Sequence, residues 1–183
     1  MSTKRRCNWV EGKEDIYLDY HDNEWGKTVF DDDKLFEMLI LECFQAGLSW
    51  ITILKKREYF REAFDNFDIE KIINYDENKV NELMENELII RNKLKIEASI
   101  NNARIFKDIQ KEFGSFSNYI WGFTDNKVLK DTKENYLTKS DTSDRITKDL
   151  KKRGMKFVGS VTIYSYLEAI GIINNHTKDC YLY

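Results

Sequence analysis

The chain contains two histidines and three cysteines, and four of these five residues lie towards its two ends. Three residues separate His176 from Cys180, a spacing that suits two ligands of one metal ion, and thirteen residues separate Cys7 from His21. Two thiolates and two imidazoles form a donor set typical of tetrahedral zinc. The sequence therefore predicts a zinc site formed by Cys7, His21, His176 and Cys180. The alternative is that the histidines are partly buried and bind no metal.

Four protein ligands leave no open coordination position, so the predicted zinc ion is structural. It would join the two ends of the chain, and by analogy with a covalent cross-link it would stabilise the fold by about 5 kcal/mol. The third cysteine, Cys43, falls in an apolar segment and is expected in the core. Because the number of cysteines is odd, we do not expect a disulfide framework.

One carboxylate, Glu42, falls within an apolar stretch that is predicted to be helical. The apolar residues that share its side of the helix are Leu35, Met38, Leu39 and Ala46. The polar residues assigned to the other side are Lys34, Glu37 and Gln45. A carboxylate among apolar side chains is unfavourable without a partner, so Glu42 is a candidate functional residue. The alternative is a helix buried all round, whose glutamate reaches the surface at one end.

Aromatic residues are concentrated in the first fifty positions, near Glu42 in sequence. They are Trp9, Tyr17, Tyr20, Trp25 and Trp50. Aromatic side chains usually belong to a core, but several indoles and phenols around one carboxylate would also enclose a flat, cationic ligand. The rings would supply stacking and cation–π attraction, and the carboxylate would supply charge and a hydrogen-bond acceptor. The pattern indicates a binding site for a cationic aromatic ring.

These residues must be positioned by helices, since the chain has no proline, few glycines and little strand-like alternation. We predict an all-α fold of many short helices forming one domain over residues 1–183, with two helical lobes as an alternative arrangement. The predicted helices cover residues 34–46, 49–64, 69–74, 76–87, 92–112, 116–121, 143–152 and 160–170. Residues 123–140 are polar and irregular, and they receive neither an element nor a role.

The net charge of −3 gives the whole chain no nucleic-acid signature. Basic residues do cluster at 55–57, 91–95 and 148–156, and together on one surface they would attract phosphate. The alternative is that they form ordinary solvated helix faces. We see no apolar segment long enough for a membrane helix and no secretory signal, so we expect a cytoplasmic protein without a membrane partner.

Two sequence blocks, YHDNEWG at 20–26 and QAGLSW at 45–50, are specific enough to indicate a family. Shorter matches accompany them along nearly the whole chain: CNW at 7–9, LFEM at 35–38, IIR at 89–91, NAR at 102–104, KKRG at 151–154 and KFVG at 156–159. The chain resembles the bacterial 3-methyladenine DNA glycosylase I family.

The resemblance implies a helix-hairpin-helix fold, a structural zinc ion and monofunctional excision of N3-methyladenine from double-stranded DNA in base-excision repair. The products would be free 3-methyladenine and an abasic site. The zinc ligands fall on the same four residues, and the base pocket falls on Glu42, Trp50, Tyr17, Tyr20, Trp9 and Trp25. The chain departs from the family where Leu88 and Leu94 occupy positions that tend to be glycine. This departure leaves open how the backbone of the hairpin would contact a DNA phosphate.

We expect Glu42 to accept hydrogen bonds from a base that has been flipped out of the duplex, before water completes the hydrolysis. Leu48, beside Gly47, either fills the gap left by the base or belongs to the core. Phosphate contacts are expected from Lys151, Arg153 and Lys156 and from the backbone amides at Gly159 and Ser160.

Three other functions are compatible with parts of the pattern. A lysine nucleophile would make the enzyme a lyase, and lysines are abundant. A non-catalytic, zinc-stabilised module would bind damaged DNA without releasing a base. A protein-interaction domain would use the aromatic residues to bind a methylated ammonium group. We expect a monomer in each case.

Overall fold

A computed structural model describes residues 4–130 and 137–183, which form a mostly helical fold, as predicted. The helices are α1 Asp15–Asn23, α2 Asp32–Gln45, α3 Trp50–Ala63, α4 Ile69–Ile72, α5 Glu77–Glu85, α6 Lys93–Phe113, α7 Phe116–Gly122, α8 Asp141–Lys152 and α9 Ser160–Ala169. Short 3-10 turns lie at Asn8–Val10 and Asp65–Phe67. In the described ranges no helix is both long and apolar enough to cross a membrane.

Helices α1 and α8 depart from the sequence prediction for different reasons. Helix α1 was not predicted, and its N-cap residue, Glu14, makes no capping hydrogen bond with its side chain. Helix α8 begins at Asp141 rather than Ser143, because Ser140 is its N-cap. The hydroxyl of Ser140 accepts from the Ser143 amide at 3.2 Å, and the hydroxyl of Ser143 accepts from the Ser140 amide at 2.8 Å. The two serines form a reciprocal capping box, so the helix starts two residues earlier than predicted.

One strand of a short parallel ribbon lies within residues 123–140, for which no element was predicted. Strand β1, Leu129–Lys130, pairs with strand β2, Ile173–Asn174. The ribbon places residues 129–130 beside the segment that leads to His176. Residues 131–136, also part of the unassigned region, lie outside the described residues.

Helix α2 lies at the centre of the hydrophobic core and packs against α3, α6, α7 and α9. Between Leu35 and Phe44 every residue except Glu37 is buried. Asp31 caps the start of α2 by accepting from the Lys34 amide at 2.9 Å. The helix ends at Gln45, and Gly47 takes a positive φ of 82° in the turn to α3. The central helix of the core is therefore the one that carries Glu42.

The end of α2 is held by a buried amine, Lys95, in the first turn of α6. Its Nζ donates to the carbonyl oxygens of Phe44 and Ala46, both at 2.7 Å. These carbonyls lie at the end of α2, where backbone acceptors lack partners within the helix. A lysine ammonium here also faces the negative end of the helix dipole. Lys95 therefore ties α6 to the turn that follows Glu42.

Replacing Lys95 with methionine should destabilise the fold by about 2–3 kcal/mol, because one buried and one partly buried carbonyl group lose a charged donor. Urea unfolding would measure the free energy of unfolding. Lys93→Met is the matched control, since Lys93 is exposed in the same helical turn and lies 3.8 Å from Glu97. That control should stay within about 0.5 kcal/mol of the wild type. Equal stabilities for the two variants would contradict the capping role of Lys95.

Candidate active site

A cavity of 320 Å³ opens between the N-terminal segment, α1, α2, α3 and α9. The described residues that line it are Trp9, Tyr17, Tyr20, Trp25, Glu42, Gln45, Trp50, Leu137, Ser165 and Glu168. All six residues of the expected base pocket are therefore brought together in one place. The volume is within the usual range for a small-molecule site.

The aromatic rings form the walls of this cavity. Trp9 packs edge-on against Tyr17 and Trp25, with ring centroids 5.5 Å and 5.0 Å apart. Tyr20 and Trp50 lie 5.4 Å apart at a tilt of 52°. Tyr20 is almost fully buried, whereas Trp9, Tyr17 and Trp50 are half-buried. The rings support one another and still present surface to a flat ligand.

Glu42 lies in this aromatic cavity with only 3% of its surface exposed. It does not reach the protein surface, which rules out the alternative of an exposed helix end. Within the described part of the chain its Oε2 has no hydrogen-bond partner, and neither does the indole nitrogen of Trp9 or of Trp50. Buried polar atoms are normally paired, so this group is arranged for a ligand that supplies both a donor and acceptors.

Burial raises the pKa of Glu42 from 4.5 to about 8, and the nearby charge of Glu168 contributes in the same direction. The other titratable groups around it, Tyr20 and Cys43, have raised pKa values for the same main reason, desolvation. Burial in the cavity therefore disfavours a negative charge on Glu42, and a cationic ligand would reverse this effect.

The sequence analysis missed four lining residues: Gln45, Leu137, Ser165 and Glu168. It assigned Gln45 to the side of α2 opposite Glu42, which is wrong, because residues three apart are neighbours on a helix surface. Glu168 lies on α9, whose apolar composition hid one acidic residue that faces the cavity. A helical projection of α9 that placed Ser165 and Glu168 on one face would have found them.

Three of the four predicted zinc ligands come together at a second position. Ligand atoms of Cys7, His21 and Cys180 all lie within 4.8 Å of one another, and the three residues are buried. The distance from Cys180 Sγ to His21 Nε2 is 3.5 Å. The other ring nitrogen of His21, Nδ1, lies 2.8 Å from Asp22 Oδ1. A carboxylate on the outer nitrogen orients a histidine for metal binding through the inner one.

His176 lies beside this group without joining it, since its nitrogen atoms are not among those within 4.8 Å. Its ring centroid is 5.2 Å from that of His21. Its Nδ1 lies 2.9 Å from Asn174 Oδ1, and its buried Nε2 has no partner in the described ranges. Gly26 makes room for this ring, because a Cβ at Gly26 would lie 2.5 Å from the ring carbon Cε1.

The expected wedge residue lies at the junction between α2 and α3. Leu48 follows Gly47 and is 39% exposed, so it does not belong to the core. Its amide donates to Gln45 at 2.7 Å, which keeps the turn tight. An exposed leucine on a tight turn satisfies the geometric requirement for a wedge.

The residues expected to contact phosphate divide into two groups. Lys151 and Lys156 are exposed, and Gly159 is the N-cap of α9. The guanidinium of Arg153, by contrast, donates to Asp149 at 2.7 Å and to Glu112 at 2.6 Å. The Ser160 hydroxyl lies 2.9 Å from that of Ser143. The Arg153 guanidinium is thus engaged within the protein, whereas the hydrogen bond of the Ser160 hydroxyl does not involve the Ser160 amide that was expected to contact phosphate.

A family model described as methyladenine glycosylase matches residues 9–183. A DNA-3-methyladenine glycosylase of Haemophilus influenzae is 44% identical over 178 residues, which cover 96% of each chain. A crystal structure of a 3-methyladenine DNA glycosylase I superposes with a TM-score of 0.92 at 43% identity, covering 97% of this chain and 98% of the other. A variant of such an enzyme, solved in complex with 3-methyladenine, also superposes with a TM-score of 0.92. It is 38% identical, and the match covers 96% of both chains. The chain belongs to the methyladenine glycosylase family.

Proposed function

We propose that this protein is a DNA-repair enzyme that hydrolyses the N-glycosidic bond of N3-methyladenine in alkylated DNA. The observation that supports this most directly is the aromatic cavity with a buried, unpartnered carboxylate oxygen at Glu42. A relative of the same fold has been solved with 3-methyladenine bound. Relatives named as glycosylases favour an enzyme over a module that only binds damaged DNA.

The chemistry follows from the charge of the substrate. Methylation at N3 makes adenine cationic in DNA, so the base is already a good leaving group. When the bond between C1′ and N9 breaks, its electron pair leaves with the base, which becomes neutral 3-methyladenine. Water then bonds to C1′ and loses a proton, which gives an abasic site. The protein must extract the base from the stack and hold it, but it has little need to protonate it.

Glu42 is proposed to recognise the positive charge of the flipped base. Burial holds the pKa of Glu42 near 8, and an adjacent cation would lower this pKa and favour the carboxylate. The carboxylate then accepts a hydrogen bond from the base while Trp50 and Tyr20 contact its faces. Ordinary adenine is neutral, so its binding would leave the negative charge of the Glu42 carboxylate buried without a compensating positive charge. This difference provides selectivity for the methylated base.

Hydrolysis fits the site better than a lysine nucleophile does. None of the described residues lining the cavity is a lysine, an arginine or a histidine. The buried amine of Lys95 donates to Phe44 and Ala46 outside this lining set. An amine engaged with two carbonyl groups is not free to attack C1′.

We propose that DNA binds the surface around Lys95, where three segments meet. Lys95 bonds to the carbonyl of Ala46, next to Gly47 and Leu48, and its Nζ lies 5.8 Å from the centroid of the Phe157 ring. Lys151, Lys156 and the amide groups at the start of α9 would hold phosphates, and Leu48 would occupy the gap in the duplex. The third segment, residues 86–92, joins α5 to α6 and is the proposed hairpin.

The two leucines at the expected glycine positions do not distort this hairpin. Leu88 and Leu94 are absent from the described residues with positive φ, so neither position requires glycine for its backbone. Their side chains are 49% and 68% exposed. Lys56, which lies on α3, donates to the carbonyl of Leu88 at 2.7 Å and so ties the hairpin to that helix. The hairpin therefore presents leucine side chains where smaller residues would expose backbone amides.

We also propose that Cys7, His21, His176 and Cys180 hold a structural zinc ion. The support is the buried Cys/His/Cys group and the unpartnered Nε2 of His176 beside it. Four such ligands leave no position for water or substrate, so the ion would stabilise the fold and take no part in the reaction. A monomeric, cytoplasmic enzyme remains a prediction from sequence.

Replacing Glu42 with glutamine should lower base excision about a hundredfold, because the pocket loses its charge while keeping its shape. Release of 3-methyladenine from methylated DNA, measured by chromatography under single-turnover conditions, tests this. Glu62→Gln is the control, since Glu62 is exposed on α3 and does not line the cavity. If Glu42→Gln excises at the wild-type rate, Glu42 has no part in recognition.

The same variant should change how stability depends on pH. The folded-state pKa of Glu42, about 8, lies above the ordinary value of 4.5, so the protein loses stability as pH rises from about 4.5 to 8. Glutamine does not titrate. A titrating group changes the free energy of unfolding by about 1.4 kcal/mol per pH unit. Between pH 4.5 and 7 the free energy of unfolding of the variant should therefore rise by about 3 kcal/mol relative to that of the wild type. Urea unfolding across this pH range measures the difference in free energy of unfolding between the two proteins. A difference that does not change with pH would contradict the raised pKa of Glu42.

Purified protein should contain one zinc ion per chain by elemental analysis, and its removal by a chelator should lower the melting temperature by about 10–20 °C. Cys180→Ala should lose the metal. Cys43→Ala provides the control, because Cys43 is buried in α2 away from this group and its variant should keep the metal. A fully stable wild-type protein without metal would overturn the zinc proposal.

A further inference from the structure

We propose that the ring of Phe157 stacks on a base of the DNA duplex beside the gap left by the flipped nucleotide. The proposal rests on the function proposed above and adds a second apolar contact, besides Leu48, to the proposed DNA surface. Phe157 lies in the α8–α9 loop, residues 153–159, which leads to the backbone amides at the start of α9. Its side chain is 36% exposed, and it follows the exposed Lys156.

The backbone of Phe157 is held in a conformation that phenylalanine rarely adopts. Its φ is 56°, in the left-handed region that glycine tolerates and a bulky side chain does not. Phe67 is the other phenylalanine with a positive φ among the described residues, but its side chain is buried and stacks on Phe64, with ring centroids 5.9 Å apart. Burial offsets the strain at Phe67. Strain retained at a partly exposed ring points instead to a contact made with a ligand.

Helix α6 and the core hold the loop on both sides of this residue. Asn102, on α6, donates from Nδ2 to the carbonyl of Lys156 at 2.9 Å, and its Oδ1 accepts from the Lys156 amide at 2.9 Å. Met155 and Val158 are buried in the core. These anchors fix the backbone before and after Phe157, so its ring is presented to solvent at a defined position.

The ring lies close to the turn that carries Leu48. The Nζ of Lys95 is 5.8 Å from the centroid of the Phe157 ring, and it donates at 2.7 Å to the carbonyl of Ala46, two residues before Leu48. Leu48 is 39% exposed. Two exposed apolar side chains next to the exposed Lys156 are complementary to an opened duplex, which has apolar base faces and an anionic backbone.

Replacing Phe157 with glycine separates a DNA contact from a structural role, because it removes the ring and also relieves the strain at a positive φ. Loss of a partly buried ring and relief of strain oppose each other, so the melting temperature should stay within about 3 °C of the wild type. Phe157→Tyr is the conservative variant, since it keeps an aromatic face.

Phe30→Ala is the control variant. Phe30 is 57% exposed and precedes the start of α2, whereas Ala46 follows its end. The 14 residues of α2 span roughly 21 Å. A general loss of exposed aromatic surface would therefore show in this variant, away from the proposed DNA surface.

The test measures, by fluorescence anisotropy, binding to a duplex with a tetrahydrofuran abasic-site analogue and to the same duplex undamaged. Phe157→Gly should weaken binding to the abasic duplex about tenfold, as expected for one stacked base, and binding to the undamaged duplex less than threefold. Phe157→Tyr and Phe30→Ala should keep the wild-type affinity for both duplexes. Affinity for free 3-methyladenine, measured by tryptophan quenching, should change less than twofold in Phe157→Gly.

Salt dependence distinguishes stacking from phosphate contact. A stacked ring releases no counterions, so Phe157→Gly should leave the slope of log affinity against log salt concentration unchanged. Lys156→Met should reduce that slope by about one.

Three results would overturn the stacking proposal: wild-type affinity of Phe157→Gly for the abasic duplex, equal weakening on both duplexes, or a reduced salt slope like that of Lys156→Met. The last would mean that Phe157 only positions the neighbouring lysine. A wild-type protein that binds the abasic duplex but releases no 3-methyladenine from methylated DNA would overturn the proposed function. The affinities for the two duplexes would still decide the role of Phe157.

Discussion

The proposed site depends on one buried carboxylate oxygen, Oε2 of Glu42, for which the described residues provide no hydrogen-bond partner. Glu42 lies on the central helix of the core, 97% of its surface is hidden, and its Oε2 has no partner among the described residues. Such a group destabilises the folded protein, and the surrounding core must offset that effect. Burial of α2 on nearly all sides and the capping of its end by Lys95 provide this support. The unfavourable arrangement is retained where a cationic ligand would satisfy it.

The cavity is formed by segments that are far apart in sequence, so its shape depends on how the chain ends meet. Residues 26–29 run along the end of α9, where Val29 donates to the carbonyl of Ile170 at 3.0 Å. Gly171 is required there, because a Cβ would lie 2.4 Å from the carbonyl carbon of Lys27. The Cys7, His21 and Cys180 group lies immediately beyond Tyr20. A metal bound there would hold one aromatic wall against the helix that carries Glu168.

Much of this site could be predicted from sequence, because the residue types are distinctive. Glu42 in an apolar stretch and a concentration of indoles identify the pocket without any knowledge of the fold. Helix α1 was missed, since its N-cap residue makes no capping hydrogen bond with its side chain and its aromatic residues do not recur at a clear helical spacing. Glu168 was missed because its place in the same cavity as Glu42 depends on packing between α2 and α9. Sequence indicates which groups are unusual, whereas tertiary structure determines which of them meet.

The same distinction applies to the clusters of basic residues that the sequence contains. Arg57 pairs with Glu24, Arg91 with Glu87 and Arg153 with Glu112, while Lys56 and Lys95 bond to backbone carbonyls. Most of these cations hold separate segments of the chain together, whereas Arg91 and Glu87 lie in the same loop between α5 and α6. In the third cluster, residues 148–156, some exposed lysines form no ion pair with any described residue. They are Lys148, Lys151, Lys152 and Lys156. With so few cations, affinity for undamaged DNA should be modest, and recognition must depend mainly on the charge of the flipped base.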